Sequence, residues 1–432
     1  MYEQIKAQFI KNDDFFQQEE IIGDSPLLFC GLNSMIDLPR TIADLKISDR
    51  GSKIYGLHEE KKTSPESVVN SILSGKLAIF DIHKTQCLII EPIPRQLNRS
   101  VQSSTNENVV QGTLAAFIED LTSNVGIVRE QLRSTHLRVK INEIGSTKKT
   151  KLAVLYLEGS ADNRLVQRIE QQILSGSSID ISSIQEVAKL LGFHKWSLIP
   201  QFKTTELSDE AANVLEQGRV VLFVDRMPFA LSLPNYWWDT FLLGNDRQLP
   251  RPIMFAVRAL RIFGVFVSIT LPSLYVALVA VNPEVLRIQL ALSVALSREG
   301  VPYPAILETL IMLLLLELIL EASIRLPQSV GPTITMVGGI ILGQAVVSAK
   351  LVSNLLIIIV AATTIANSTL VGIQNSYLVR SLKYITLILA AIFGVMGIFI
   401  GVVMICGILA SEHTYGISYI RLPFTKDEVE HD

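Results

Sequence analysis

The distribution of hydrophobic residues divides the chain into two unlike halves. Residues 1–250 mix apolar and charged positions with many turn residues, which is typical of soluble sequence. From Ile262 to Ala410, only eleven of 149 residues are Asp, Glu, Lys or Arg. So few charges over that length predict an all-α polytopic membrane domain. We expect two soluble subdomains, a membrane domain and a short C-terminal tail, with boundaries at 1–100, 108–250, 251–410 and 411–432.

Two segments of the soluble half resemble each other. The first runs from Val68 to Pro94 and the second from Ala211 to Pro234. Each contains a helix-period stretch, then Gly75-Lys or Gly218-Arg, then an apolar strand ending in Asp, a turn and a second apolar strand. Glycine after a helix favours a left-handed C-cap, and the paired strands predict a hairpin. The pattern therefore predicts two related α/β subdomains, joined by the polar linker 96–107.

The soluble half lacks the residue patterns of an enzyme or a metal site. Its histidines have no carboxylate or cysteine at a catalytic spacing, and its glycines form neither GxxxxGK[ST] nor GxGxxG. Cys30, Cys87 and Cys406 have no framework spacing, so we expect no disulfide and a reducing compartment. We expect no catalytic activity and no cofactor. The net charge of -3 does not indicate a nucleic-acid partner.

The apolar half predicts about five membrane spans. The first is Ile262 to Val281, and arginines before it place the soluble half in the cytoplasm, as does an N-terminus without a signal-peptide pattern. The second is Ala305 to Ser323. Thr333 to Ser348 and Leu351 to Val371 form either two spans or one broken span with a re-entrant piece. Arg380 and Lys383 indicate a cytoplasmic loop before the last span, Tyr384 to Ala410.

The second span carries three carboxylates. Glu317, Glu321 and Arg325 follow at intervals of four and share one helix face, whereas Glu308 points roughly the opposite way. A charge near the bilayer centre normally faces a partner or a wet cavity. Glu317 is therefore a candidate for lining a cation path, and Glu308, Glu321 and Arg325 are further candidates for the path or its gating. The alternative is purely structural, with Glu321 pairing with Arg325 near the membrane edge.

The segment from Arg325 to Lys350 is apolar but rich in glycine and proline. Irregular backbone at membrane depth must be buried in protein or line a cavity, so a break here indicates a moving or pore-proximal element. Gly338, Gly339, Gly343 and Lys350 at the end of the segment are candidate gating positions. The alternative is close helix packing, which small residues permit.

The membrane half resembles a known family. The residues that carry the resemblance are the PRP step at 250–252, the SLYVAL of the first span, and two consecutive blocks, EGVPYPAILETLIMLLLLELILEASIRLP at 299–327 and VGPTITMVGGIILGQAVVSAKLVS at 330–353. They look like the A subunit of bacterial spore germinant receptors, of the same superfamily as a stage V sporulation membrane protein. Lys350 stands where the resemblance leads us to expect a small residue.

The resemblance implies a partnered, non-enzymatic membrane protein. Such a subunit lies in the inner membrane of the spore, in contact with lipids, beside a transporter-like B subunit and a lipoprotein C subunit. It is expected to form a homo-oligomer that acts as a nutrient-gated ion channel and starts germination. The alternative reading is a secondary transporter or another permease, for which broken helices are also typical. A membrane-tethered enzyme is a third reading.

Overall fold

The computed structural model divides into two compact units. It describes residues 2–22, 25–48, 60–61, 64–81, 87–95, 116–194, 196–243, 246, 249–326 and 331–421. The predicted linker 96–107 lies outside the described residues. The first unit, here the α/β unit, comprises Met1–Ser197, Gln201–Asn235 and Thr414–Ile417. The second, here the helical unit, comprises Leu198–Pro200, Tyr236–His413 and Ser418–Asp432.

The first half of the α/β unit is a five-stranded antiparallel sheet with helices. In chain order its elements are α1 Tyr2–Phe9, β1 Phe15–Ile22, β2 Ser25–Leu32, α2 Leu38–Ser48, β3 Glu60–Lys61, α3 Pro65–Leu73, β4 Leu77–Asp81 and β5 Cys87–Ile90. The strand order is β1-β2-β4-β5-β3. Helices α1, α2 and α3 contribute buried apolar residues to one core with β2, β4 and β5.

The second half of the α/β unit has the same topology. Its elements are α4 Leu121–Gln131, β6 Leu137–Ile144, β7 Thr150–Leu157, α5 Asn163–Ser175, α6 Ile184–Leu190, β8 Lys203–Thr205, α7 Ser208–Glu216, β9 Val220–Val224 and β10 Ala230–Leu233. Its strand order, β6-β7-β9-β10-β8, matches that of the first sheet position by position. The internal repeat predicted from the sequence is confirmed.

Glycines end the two repeated helices, as the sequence predicts. Gly75 follows α3 with φ +83° and Gly218 follows α7 with φ +80°. A side chain is strained in this left-handed region, so glycine lets each chain turn directly from helix into strand. The predicted N-cap of α5 is also present, because the Asp162 carboxylate accepts a hydrogen bond from the Arg164 backbone N–H at 2.8 Å.

A buried ion pair joins the two halves of the α/β unit. Asp14 accepts hydrogen bonds from Arg129 Nε at 2.7 Å and Nη2 at 2.8 Å, and both side chains are at least 98% buried. The Ser34 hydroxyl donates to the same carboxylate at 2.9 Å. Arg129 and Ser34 thus supply hydrogen bonds to both oxygens of the Asp14 carboxylate, and the single charge of Arg129 balances that of Asp14.

The helical unit consists of long apolar helices. They are α8 Arg251–Val276, continued by a π turn at Ala277–Val281, then α9 Ile288–Ser297, α10 Ala305–Arg325, α11 Gly331–Ser348, α12 Asn354–Ser368, α13 Ile373–Phe393 and α14 Val395–Ser411. Two of the described helices are long and apolar enough to cross a membrane, Arg251–Val281 and Gln374–Phe393. The expected number of spans and the re-entrant piece stay predictions.

Two sequence expectations about these helices are wrong. Tyr384 to Ala410 is not one span, because the chain reverses at Gly394, whose φ is +62°, and α14 packs back on α13. A Cβ at Gly397 would lie 2.0 Å from the Leu389 carbonyl oxygen, so only glycine permits this approach. The glycine-rich segment is also unbroken from 331 to 348, since Gly338, Gly339 and Gly343 lie inside α11.

After α14 the chain returns to the α/β unit. Strands β11 His413–Thr414 and β12 Ile417–Ser418 form a small hairpin, here the returning hairpin. Its Tyr415 packs on Phe193, with ring centroids 5.6 Å apart, and donates a hydrogen bond to the Leu191 carbonyl at 2.9 Å. The Thr414 hydroxyl donates to Gln201 at 2.5 Å. Four residues of the segment predicted to be a separate tail, Thr414–Ile417, thus belong to the α/β unit.

Candidate functional site

The three glutamates of α10 lie at successive levels along one helix. Glu308 is in the first turn, Glu317 is nine residues further on, and Glu321 is in the last turns. With a rise of about 1.5 Å per residue, Glu308 and Glu317 are roughly 13 Å apart along the axis. Each carboxylate meets different partners, so α10 carries three distinct polar contacts in an apolar unit.

Glu308 forms a fully buried polar junction at the start of α10. Its Oε1 accepts from the Ser353 backbone N–H at 2.6 Å, and its Oε2 accepts from the Tyr275 hydroxyl at 3.2 Å. Arg298 Nε lies 3.4 Å from Oε2. Ser353 also caps α12, so this carboxylate connects α8, α10, the chain before α10 and the start of α12. The contacts suit a structural joint, because each oxygen has a partner.

Glu317 lies between two cations of α13. Lys383 Nζ donates to Glu317 Oε1 at 2.9 Å, and Arg380 Nη2 pairs with Oε2. Lys383 is 8% exposed and Arg380 is 13% exposed. Within the described residues, Arg380 Nε has no hydrogen-bond acceptor. One partly buried carboxylate, 23% exposed, therefore contacts two cations, and this group, here the α10–α13 cluster, carries one surplus positive charge.

Glu321 and Arg325 form the pair that the structural alternative predicts. Arg325 Nε and Nη2 donate to Glu321 Oε1 at 3.1 and 2.7 Å. Both side chains are exposed, at 47% and 77%. An exposed pair at i, i+4 contributes little stability. The shared face predicted for Glu317, Glu321 and Arg325 thus splits into a buried cluster and a solvated pair.

The glycines of α11 have no neighbours in the described residues. A Cβ at Gly338, Gly339 or Gly343 would have nothing within 4 Å, so these positions do not support close packing inside the chain. Lys350 follows α11 with φ +52°, a left-handed conformation that favours a residue without a Cβ. Its side chain lies over Gly300. The structure thus brings Glu317 together with cations, but it groups neither the glycines nor Lys350 with them.

Sequence reasoning missed the partners of the carboxylates. Arg380 and Lys383 were expected in a cytoplasmic loop, but they lie inside α13 and within a candidate span. Arg380 and Lys383 are three residues apart, and this spacing places both cations on one face of a helix. That pattern could have indicated a helical pair of cations at this point. Tyr275 and Ser353 gave no such signal, because each pairs with Glu308 across a large sequence separation.

Polar contacts connect α10 to other helices of the helical unit. Helix α8 packs against α12 and α13, and α13 packs against α14, whereas α11 packs chiefly on α10. Polar contacts of Glu308 and Glu317 fasten α10 to the other helices. Among the described residues, no group of three His, Cys, Asp or Glu side chains could hold a metal ion.

Comparison with known proteins identifies a family over nearly the whole chain. Residues 32–431 match the model of the Bacillus/Clostridium GerA spore germination protein family. Spore germination protein A1 of Bacillus subtilis is 30% identical over 95% of this chain and 87% of its own length. Spore germination protein GerQA of Bacillus cereus is 33% identical over 77% of this chain and 67% of its own.

Two further similarities were found. An uncharacterized membrane protein of Bacillus subtilis, YfkQ, is 31% identical over 85% of this chain and 72% of its own length. A crystal structure of the N-terminal domain of the A subunit of the Bacillus megaterium spore germinant receptor GerK3 aligns with a TM-score of 0.39 and 20% identity. It covers 54% of this chain and 92% of that domain. Because the family model matches residues 32–431 and spore germination protein A1 is 30% identical over 87% of its length, the chain belongs to the GerA spore germination protein family.

Proposed function

We propose that this chain is the A-type subunit of a spore germinant receptor, in the inner membrane of the spore, and that its helical unit forms a nutrient-gated ion path as a homo-oligomer. Relatives named as spore germination proteins support the receptor role. The receptor's transporter-like B subunit and lipoprotein C subunit would be the partners. The α/β unit would face the cytoplasm.

The α10–α13 cluster is the observation that carries the gating part of the proposal. Burying ions in an apolar medium is costly unless each is paired, and a one-to-two ratio leaves a cation undercompensated. While Glu317 is held by Arg380 and Lys383, its negative charge is unavailable and the site repels cations. A cation path then requires that α10 move and release Glu317, so the cluster would hold the closed state.

The returning hairpin leads us to revise the expected topology. The chain leaves the α/β unit after Asn235 and returns to it at Thr414. A soluble unit lies on one side of a membrane, so the number of crossings between these points must be even. We propose six crossings, by α8 and α10 to α14, with the ten-residue α9 in the interface. This replaces the five expected from the sequence.

Reconstitution of the full chain into planar bilayers tests the channel reading. A channel gives discrete current steps with a preference for monovalent cations. Flux that saturates with solute concentration and lacks steps would contradict the proposal and favour a transporter. Co-purification of a transporter-like protein and a lipoprotein with the tagged chain from spores tests the receptor assignment separately, since it does not depend on conduction.

A further inference from the structure

Helix α10 is packed tightly at its start and loosely at its end. Among the described residues, its buried side chains all lie between positions 305 and 313, and each is at most 7% exposed: Ala305, Glu308, Thr309, Met312 and Leu313. From position 314 to 325, none of the described side chains is buried. A helix in a folded protein is held mainly by side chains packed against its neighbours. The start of α10 is therefore fixed, whereas its end is free to shift.

The start of α10 also has balanced polar contacts. Glu308 and its partners Tyr275, Arg298 and Ser353 form a group, here the Glu308 junction. One carboxylate meets one guanidinium, so the junction carries no surplus charge. Tyr275 lies on α8, Arg298 lies in the chain before α10, and Ser353 lies at the start of α12. The junction thus fastens α10 to three separate segments of the helical unit.

The N-terminus of α12 strengthens the hold on Glu308. Ser353 is the N-cap of α12, and its hydroxyl accepts a hydrogen bond from the Leu356 backbone N–H at 3.3 Å. The backbone N–H of Ser353 donates to Glu308 Oε1 at 2.6 Å. The positive end of a helix dipole stabilises a carboxylate at this position. Glu308 cannot leave the junction without uncovering a buried amide, so the contact is expensive to open.

The end of α10 is held in a different way. Glu317 is 23% exposed and reaches α13 through the long side chains of Arg380 and Lys383. Two cations share this carboxylate, so each of them is only partly compensated. The contact at this end can therefore open while the start of α10 stays in place.

We infer that α10 moves as a lever that pivots about the Glu308 junction, and that Glu308 is the residue that positions Glu317 against α13. Glu308 and Glu317 are roughly 13 Å apart along the axis, so a rotation of about 15° displaces Glu317 by roughly 3 Å. That displacement breaks the 2.9 Å hydrogen bond from Lys383 to Glu317. The inference rests on the proposed function, because it describes how the closed state opens, but a different motion of α10 would leave the gating role of Glu317 standing.

Distances between spin labels on the full chain in lipid nanodiscs test the pivot. Leu307→Cys and Leu318→Cys label the two ends of α10, and each is paired with Ile388→Cys on α13. These three side chains are 41%, 58% and 53% exposed, so labels fit there, and Cys406→Ser removes the exposed native cysteine. When Glu317→Gln releases the α10–α13 cluster, the Leu318 distance should change by about 2 Å or more. The Leu307 distance should change by less than about 1 Å, because a lever moves least beside its pivot.

Two further variants separate the roles of the three glutamates. Glu321→Gln removes the same charge one turn beyond Glu317 and should leave both distances unchanged. Glu308→Gln removes the charge of the junction, so Glu317→Gln in that background should move both ends of α10. The Leu307 distance should then change by about 2 Å or more. A residue with a merely structural role would not alter how the Leu307 distance responds to Glu317→Gln.

The other outcomes overturn the inference in distinguishable ways. Equal changes at Leu307 and Leu318 show that α10 slides as a whole, which overturns the pivot but leaves the release of Glu317 standing. No change at either position overturns both the pivot and the gating role of Glu317. A Leu307 distance that stays fixed in the Glu308→Gln background shows that another group fastens the start of α10, and Glu308 is then not the pivot.

Discussion

Asp14 in the α/β unit and Glu317 in the helical unit each meet an arginine, but only Asp14 is matched by a single cation. In the α/β unit, Asp14 meets Arg129 as a bidentate pair, and Ser34 completes the carboxylate. In the helical unit, Glu317 is divided between Arg380 and Lys383. Separating a matched pair removes an attraction, so the pair opens only when the fold around it opens. Separating a cluster with one carboxylate and two cations also removes the repulsion between the cations. On the gating proposal, the first is a fixed joint and the second is a releasable contact.

The largest expected effect comes from breaking the balanced pair. Arg129→Ala leaves Asp14 buried without its cation, and we expect the free energy of unfolding of the first half to fall by about 3–5 kcal/mol. Burial raises the pKa of the Cys30 and Cys87 thiols to about 12, so these cysteines stay protonated and unreactive while the first half is folded. In Arg129→Ala, the alkylation rate of Cys30 and Cys87 at pH 8 should rise on the order of a hundredfold or more over the wild type, because the destabilised first half of the α/β unit opens more often.

A hydrophobic double variant is the control for that prediction. Arg129→Met with Asp14→Leu removes both charges together, and stability should return close to that of the wild type because no unpaired ion remains. A slow alkylation rate in Arg129→Ala would show that the pair is not the joint between the two halves.

The next largest effect is expected at the unbalanced cluster. Glu317→Gln leaves Arg380 and Lys383 facing each other, so α10 should detach more readily from α13. In reconstituted vesicles we expect basal ion leak to rise about tenfold, which corresponds to about 1.4 kcal/mol of bias between the closed and open packings, and its preference for cations to fall because the carboxylate is gone. Leak and selectivity equal to those of the wild type would contradict a gating role for Glu317.

A smaller and opposite effect should follow when the surplus cation is removed. Lys383→Met leaves Glu317 and Arg380 as a one-to-one pair, resembling that of Asp14 and Arg129. We expect leak to fall to about a third of the wild-type rate, because the closed packing no longer contains an undercompensated charge. An increase in leak would show that Lys383 holds α10 in place and is not a surplus charge.

The smallest effect is expected at the exposed pair of the same helix. Glu321→Gln breaks a contact with Arg325 that is open to solvent, and such exposed pairs contribute little to stability. Leak should change by less than about twofold. Glu317→Gln and Glu321→Gln remove the same charge from positions one turn apart on α10. They differ in how far the glutamate is exposed and in its partners, so comparing them separates the effect of burial from that of charge. An equal change in leak for Glu317→Gln and Glu321→Gln would contradict the idea that burial gives Glu317 a special role.

The sequence predicts the elements that depend on local chemistry. Gly75 and Gly218 mark where two helices end, and the same order of helix, glycine and paired strands recurs in both halves of the α/β unit. Those features depend on backbone conformation within a few residues. The pairing of Glu321 with Arg325 is local in the same sense, since four residues of helix bring the two together.

The sequence does not predict what depends on contacts distant along the chain. Glu317 and Lys383 are 66 positions apart, so nothing in either segment indicates their pairing. The reversal at Gly394 is hidden because both flanking helices are apolar and a long run resembles one span. The glycines of α11 mislead in the other direction, because glycine weakens a helix by only about 1 kcal/mol and does not break it.

The returning hairpin also fixes an order in biosynthesis. Ribosomes release the N-terminal half first, yet Tyr415, which packs in the core of the second half of the α/β unit, leaves them after α8 to α14. That core can therefore be completed only after the whole helical unit has been synthesised. A chain that stops before β11 lacks Tyr415 and leaves one side of Phe193 uncovered, which would distinguish it from a finished protein for proteolytic quality control.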